Sequence, residues 1–218
     1  MLWKHKHVLA DKNDRVGLCK AYQATIELTK DEPIYMPQYP IPFRMQKRMK
    51  KTIQKFLKDA SIQPSTSPYN SPSLMVEKRD TVDGRVCINY RNFNKFVKTD
   101  RFPLPHINQI LEELGGALYL TALDLLHGFY NLEITPGDRW KTAFSTPDGH
   151  YEFIRLPMGL KNSPSIFQRT MNMVLQEVLG KFCFIYVDDI VIYSKSAESH
   201  LKHQDIVLDK LSQPRSQT

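Results

Sequence analysis

The stretch Phe184-Ile185-Tyr186-Val187-Asp188-Asp189-Ile190-Val191-Ile192-Tyr193 sets two adjacent aspartates between two apolar runs. Phe, Ile, Val and Tyr suit a pleated, half-buried surface, so the runs read as strands and Asp188-Asp189 as a tight hairpin. Adjacent like charges repel, and burying a carboxylate without a partner is costly. Exposure of the hairpin tip to water would relieve that cost. So would a divalent cation: Mg²⁺ takes hard oxygen ligands, often one or two carboxylates, and completes its shell with phosphate and water. A doublet alone is a weak sign and needs a confirming context. Leu118 to Asp124 supplies one, a second apolar strand running into an aspartate. An aspartate at a strand end beside an aspartate hairpin can complete a site for two ions about 3.5–4 Å apart, which stabilises the attacking and leaving oxygens of an in-line displacement. Such a site performs phosphoryl transfer by positioning and charge neutralisation.

Working outward, residues 163–179 carry Ile166, Phe167, Thr170, Met171, Val174, Leu175, Val178 and Leu179 at the helical period. Ser163 suits the N-cap and Pro164 the first helical position. Residues 197–211 read as a last helix and 106–114 as a short one ended by Gly115-Gly116. Two further hairpins are expected, 74–79 with 85–90 around Asp83-Gly84, and 141–146 with 150–155 around Asp148-Gly149. Residues 45–60 read as a helix with Met45, Met49, Ile53, Phe56, Leu57 and Ala60 on one face. Residues 1–43, rich in proline towards the end, read as an extended N-terminal arm. Antiparallel hairpins alternating with packed helices give an α+β class.

The net charge is +7, and Arg44 to Lys58 alone holds seven basic and no acidic residues. Charge density of this kind suits a polyanion or an ordinary solvated helix face. Arg44, Lys47, Arg48, Lys50 and Lys51 are the candidate nucleic-acid contacts on it. No run approaches 18 apolar residues, so no membrane span is expected. Met1 to Arg15 has no apolar core and no small-residue cleavage site. A secretory signal is therefore not read, and an intracellular place, cytoplasmic or nuclear, is expected. Cys19, Cys87 and Cys183 are odd in number and lack metal spacing, so they read as buried or idle thiols. His200 and His203, three apart, read as a solvated helix face rather than a zinc site, and His127 carries no assignment. GxxxxGK[ST] and GxSxG are both missing, which leaves a P-loop NTPase or an α/β-hydrolase without support.

Three longer stretches, Thr121-Ala-Leu-Asp-Leu-Leu-His-Gly-Phe-Tyr-Asn-Leu-Glu-Ile134, Lys141 to Asn172 and Phe184 to Ser194, resemble in order and spacing the successive motifs of reverse transcriptases from gypsy-type long-terminal-repeat retrotransposons, whose pol polyproteins are retroviral-like. The resemblance runs from about Ile26 to about Leu211. It implies a right-hand polymerase: fingers over about 44–105, then a ferredoxin-like palm with an antiparallel sheet over about 106–211, and a disordered tail at 212–218. It implies an RNA-directed DNA polymerase that joins deoxynucleoside triphosphates to a primer on an RNA or DNA template, with two Mg²⁺ ions and Mn²⁺ as a substitute.

The resemblance also assigns residues. Asp124 and Asp188 would bind both metals, Asp189 would join the cluster with a weaker role, and Leu125 would offer its carbonyl. Phe129 would be the aromatic gate that rejects a 2′-hydroxyl, against the plainer reading of a core aromatic. Lys78 and Arg85 would hold the triphosphate. Met158 and Gly159 would lie near the nucleotide, with Gly159 permitting close backbone approach, and Tyr186 would meet nucleic acid. Lys141, Arg91 and Asn94 match positions of structural role. Tyr130-Asn131, Met158, Ser163 and Asn89 depart from the usual His-Gln, Phe, Ala and Asp, and none of these is a metal ligand. A thumb and RNase H, which follow in the family, are expected to be absent here. That leaves a second expectation, a catalytically inactive remnant that binds nucleic acid or a partner.

Overall fold

The computed structural model describes residues 4–6, 8, 17–78 and 81–212, except the side chains of 77, 78 and 81–84. The tail expected to be disordered therefore falls, beyond Ser212, outside the described residues. In chain order the elements are β1 (Cys19–Ala24), α1 (Phe43–Lys58), β2 (Ile62–Pro64), β3 (Ser71–Lys78), β4 (Thr81–Ile88), α2 (Arg91–Asn94), α3 (Ile107–Glu113) and β5 (Tyr119–Asp124). There follow β6 (Leu132–Ile134), β7 (Phe144–Thr146), β8 (Gly149–Phe153), α4 (Ser163–Val174), β9 (Cys183–Tyr186), β10 (Asp189–Ser194) and α5 (Ala197–Ser212). Short 3₁₀ turns cover Gly128–Asn131 and Pro136–Thr142. The chain forms two compact units interleaved in sequence: Met1–Tyr22, Asp100–Gly128 and Pro164–Thr218 make one, Gln23–Thr99 and Phe129–Ser163 the other.

The first unit holds an antiparallel sheet of order β5-β10-β9. β10 is central, pairing along β5 from Asp189↔Asp124 to Ser194↔Tyr119 and along β9 from Asp189↔Tyr186 to Ile192↔Cys183. Ile185, Ile190 and Ile192 are buried, as are Phe167, Met171 and Leu175 of the α4 segment and Val207 and Leu208 of α5. The alternation along β10, with Ile190, Ile192 and Ser194 buried and Val191 and Tyr193 partly exposed, is the half-buried pattern read from the sequence. Arg169 on α4 holds Asp100 with Nη2 at 2.7 Å from both carboxylate oxygens, and its guanidinium lies 5.0 Å from the Phe102 ring.

The second unit is built on a five-stranded sheet of order β2-β8-β7-β3-β4, antiparallel except between β3 and β7. Tyr69, Tyr90, Phe93, Phe144 and Phe153 fill its core, with Phe144 and Phe153 5.1 Å apart and tilted. Tyr90 satisfies its buried hydroxyl by donating to the Thr142 carbonyl at 2.8 Å. Residues 23–42, expected as part of an extended arm to residue 43, are non-helical but packed, with Ala24, Ile26 and Ile34 buried, and Phe43 already opens α1. α1 buries Met49 and Ile53, leaves its basic face out, and carries Lys55 and Lys58 in the last turn, where they favour the dipole.

Five local expectations are corrected. Asp83-Gly84 does not turn the chain; it lies within β4, because the ladder runs from Ser73↔Ile88 to Lys78↔Thr81 with an irregularity between Val76 and Lys78. Residues 141–142, expected to open a strand, instead end a 3₁₀ turn that begins at Pro136, since Pro136 fixes φ and Asp138 accepts from Thr135 and Lys141. The 163–179 helix ends at Val174. Beyond it Val178 bonds back three residues to Leu175, and the chain turns at Gly180 with φ 73°. Ser163 does not cap: its hydroxyl donates to the Pro157 carbonyl at 2.9 Å. His200 is 8 % exposed, not solvated; Ser194 Oγ lies 2.9 Å from His200 Nδ1 and 2.8 Å from His203 Nδ1.

Candidate active site

The residues of the first unit build a carboxylate cluster from local constraints. β9 and β10 are joined by Val187-Asp188, so Asp189 is the first residue of β10 and only Asp188 of the doublet lies in the turn. Val187 has a positive φ of 53°, a value that ordinarily suits Gly. A β-branched residue there is strained and persists only where its surroundings hold it. Gln168 on α4 does so. Its Oε1 accepts the Val187 N–H at 2.8 Å and its Nε2 donates to the Ile185 carbonyl at 3.1 Å. Gln168 was missed in the sequence because a polar residue on a helical stripe carries no sign of its partner.

Asp189 stands directly across from Asp124 in the ladder, so the two side chains share one face of the sheet. The Leu125 N–H donates to the Asp188 carbonyl at 3.2 Å, and the Leu125 carbonyl accepts the Gly128 N–H at 3.2 Å, tying the strand end to the turn. Asp188 Oδ1 is buried and has no hydrogen-bond partner. Burial pushes the Asp188 carboxyl above the ordinary carboxylate range, and Asp124 and Asp189 push it the same way. An orphaned buried carboxylate oxygen crowded by two more carboxylates fits a hard divalent cation, which would satisfy the oxygen and cancel the repulsion. Tyr186, at the end of β9, is 37 % exposed.

The other sequence-read positions belong to the second unit. Gly159 has φ 92°, a conformation that favours glycine. Asn94 fixes the loop around it, donating from Nδ2 to the Gly159 carbonyl at 2.9 Å and accepting the Lys161 N–H at 2.9 Å. Lys141 is likewise structural, donating to the Ile26 carbonyl at 2.7 Å. Met158 is exposed and Phe129 buried. Arg85 is exposed on β4 opposite Val76, and Lys78 ends β3 with its side chain outside the described residues. On α1, Arg44, Lys47, Lys50 and Lys51 are exposed and Arg48 half-buried; Lys50 comes within 3.8 Å of Asp148. Another carboxylate group of the first unit, Asp205 and Asp209 around His5, is already an ion-pair network, with Lys4 Nζ at 3.0 and 3.1 Å from the two acids.

Residues 76–217 match the family described as reverse transcriptase (RNA-dependent DNA polymerase), and the chain belongs to it. Among curated relatives, it is 41 % identical over 201 residues to the retrovirus-related Pol polyprotein from transposon opus and 40 % identical over 210 residues to that from transposon gypsy, both of Drosophila melanogaster. These alignments take in 90 % and 94 % of this chain but 20 % of each relative, so the chain spans about a fifth of their length. Among solved structures it is similar to the protease-reverse transcriptase of prototype foamy virus, at 30 % identity and a TM-score of 0.87 over 98 % of this chain and 28 % of that one. A foamy viral protease-reverse transcriptase in complex with RNA/DNA hybrid matches with a TM-score of 0.86 at 29 % identity, over 96 % of this chain and 28 % of that one. The fold class expected from the sequence, a reverse transcriptase-type α+β chain with antiparallel sheets, is thus the one observed.

Proposed function

We propose that this chain carries the polymerising centre of an RNA-directed DNA polymerase, which extends a primer 3′-hydroxyl with deoxynucleotides on an RNA or DNA template. The observation that supports this most is the ladder pairing of Asp189 with Asp124 beside a turn that leaves Asp188 Oδ1 buried and unpartnered. Asp124 and Asp188 would hold two Mg²⁺ ions, or Mn²⁺, with Asp189 and the Leu125 carbonyl at the rim. Bound there, the metal would supply charge neutralisation for in-line phosphoryl transfer. Gln168 keeps Asp188 in place before substrate arrives, so less ordering remains to be done at the reaction. Arg85 and Lys78 take the triphosphate, Met158 and Gly159 border the nucleotide, and Phe129 excludes a 2′-hydroxyl. Tyr186 and the α1 residues Arg44, Lys47, Arg48, Lys50 and Lys51 meet the nucleic-acid backbone or bases. In this reading the fingers span about 44–105 and the palm about 106–211, so the palm draws residues 129–163 from the second unit.

Primer extension by the purified chain with Mg²⁺ or Mn²⁺, on RNA and DNA templates, tests the proposal. Extension is expected, with Asp188→Asn abolishing it and leaving the fold intact. Template binding without extension under either metal would sink the polymerase reading in favour of a binding remnant.

A further inference from the structure

Gly128 closes the turn after β5, and its backbone does not require glycine. The positive-φ glycines among the described residues are Gly116, Gly159 and Gly180, and the left-handed position of this turn is taken by His127, at φ 52°. The demand at 128 is for space. A methyl group there would overlap Asp188 Oδ1 and lie 3.3 Å from Asp188 Cγ and 3.1 Å from Phe167 Cζ. Phe167 is 2 % exposed and cannot swing away without disturbing the core. Neither can the backbone retreat easily, because the Gly128 N–H is bonded to Leu125 and the Leu125 N–H to Asp188. What would have to move is the Asp188 carboxylate, whose inner oxygen has no hydrogen bond to hold it.

We propose that Gly128 is a positioning residue: its bare α-carbon leaves the slot that seats the inner oxygen of Asp188, and any side chain there turns that carboxylate away from Asp124 and Asp189. The inference rests on the carboxylate reading above and concerns a residue that touches no reacting group. Its consequence is that Gly128 acts on metal affinity through Asp188 alone.

The test is a double-mutant cycle of Gly128→Ala with Asp188→Ala, read by metal-free thermal unfolding and by calorimetric titration of Mn²⁺. Gly128→Ala alone should lower the melting temperature and weaken Mn²⁺ binding at least tenfold. In the Asp188→Ala background, where only the Phe167 contact at 3.1 Å still meets the methyl group, the same change should cost clearly less melting temperature and alter Mn²⁺ binding no further. If Gly128→Ala alone fails to fold, recovery of folding in the double variant supports the slot, and failure to recover overturns it. Unchanged Mn²⁺ affinity in a folded Gly128→Ala protein also overturns it, as does a stability loss undiminished by Asp188→Ala. A parent chain that takes up no Mn²⁺ would sink the functional reading instead, and the unfolding comparison would then decide the slot.

Discussion

Val187 offers a perturbation whose sign is set by the turn. In the left-handed region an L residue suffers a clash between Cβ and the following carbonyl, roughly 1–2 kcal/mol, which glycine escapes. At ordinary negative φ the order is reversed, and glycine is roughly 0.5–1 kcal/mol less stable than alanine because its unfolded chain is freer. Val187→Ala and Val187→Gly both lose the valine packing, so comparing them cancels that loss. With φ at 53°, Val187→Gly should be the more stable of the two. The net of the two effects is about 0.5–1 kcal/mol. In a chain of 218 residues that corresponds to a melting temperature higher by about 1–4 °C. The assay is thermal unfolding of both variants without metal, followed by primer extension. Val187→Gly should also turn over more slowly, since the freed turn holds Asp188 less firmly. An alanine variant as stable as the glycine variant, or more so, would refute the claim that the turn is strained.

Asp188→Asn should raise the metal-free melting temperature at neutral pH. The folded carboxyl has its pKa raised above the ordinary 3.8, so it favours the fold below that value and loses that contribution as pH rises through the folded pKa. The advantage of the asparagine variant should therefore grow from pH 4 to pH 7 in unfolding scans with chelator, and a pH-independent difference would count against the crowding. Neutralising Lys47, Arg48, Lys50 and Lys51 together should flatten the salt dependence of primer–template binding by up to about one logarithmic unit for each phosphate left without its cation; an unchanged slope would remove α1 from the interface. Phe129→Ala should raise the kcat/KM of ribonucleotides relative to deoxynucleotides, because discrimination lives in that ratio. A constant ratio would leave Phe129 as packing.

The carboxylate hairpin and the stripe of α4 were legible because each is a local periodicity that burial then satisfied. The strand before Asp124 forms as read by pairing with β10 but leaves Leu118, Tyr119 and Leu120 exposed, and α1 buries only Met49 and Ile53 of its stripe. What escaped was set by partners far along the chain. Asp83-Gly84 has turn chemistry, yet the β3–β4 ladder reaches past it to Lys78↔Thr81. His200 and His203 sit on a helix with no local sign of burial; Ser194 binds both, and Thr121 and Gln204 extend the network. Ser163 has the right identity and place for a cap, and the Pro157 carbonyl takes its hydroxyl instead. At the site, the aspartates were found by their charge among apolar residues. Gln168 and Gly128 were not, since one works through backbone hydrogen bonds and the other through the atoms it lacks.

The interleaving of the two units orders events while the chain is being made. β9 and β10 are neighbours in sequence and can pair within microseconds of leaving the ribosome, whereas β5 must wait until residues 125–188, of which 129–163 belong to the other unit, have been made. Closing that longer loop costs more entropy than closing the β9–β10 hairpin. Asp124 therefore meets Asp189 only when that longer loop closes, and their mutual repulsion opposes the β5–β10 pairing and not the β9–β10 hairpin.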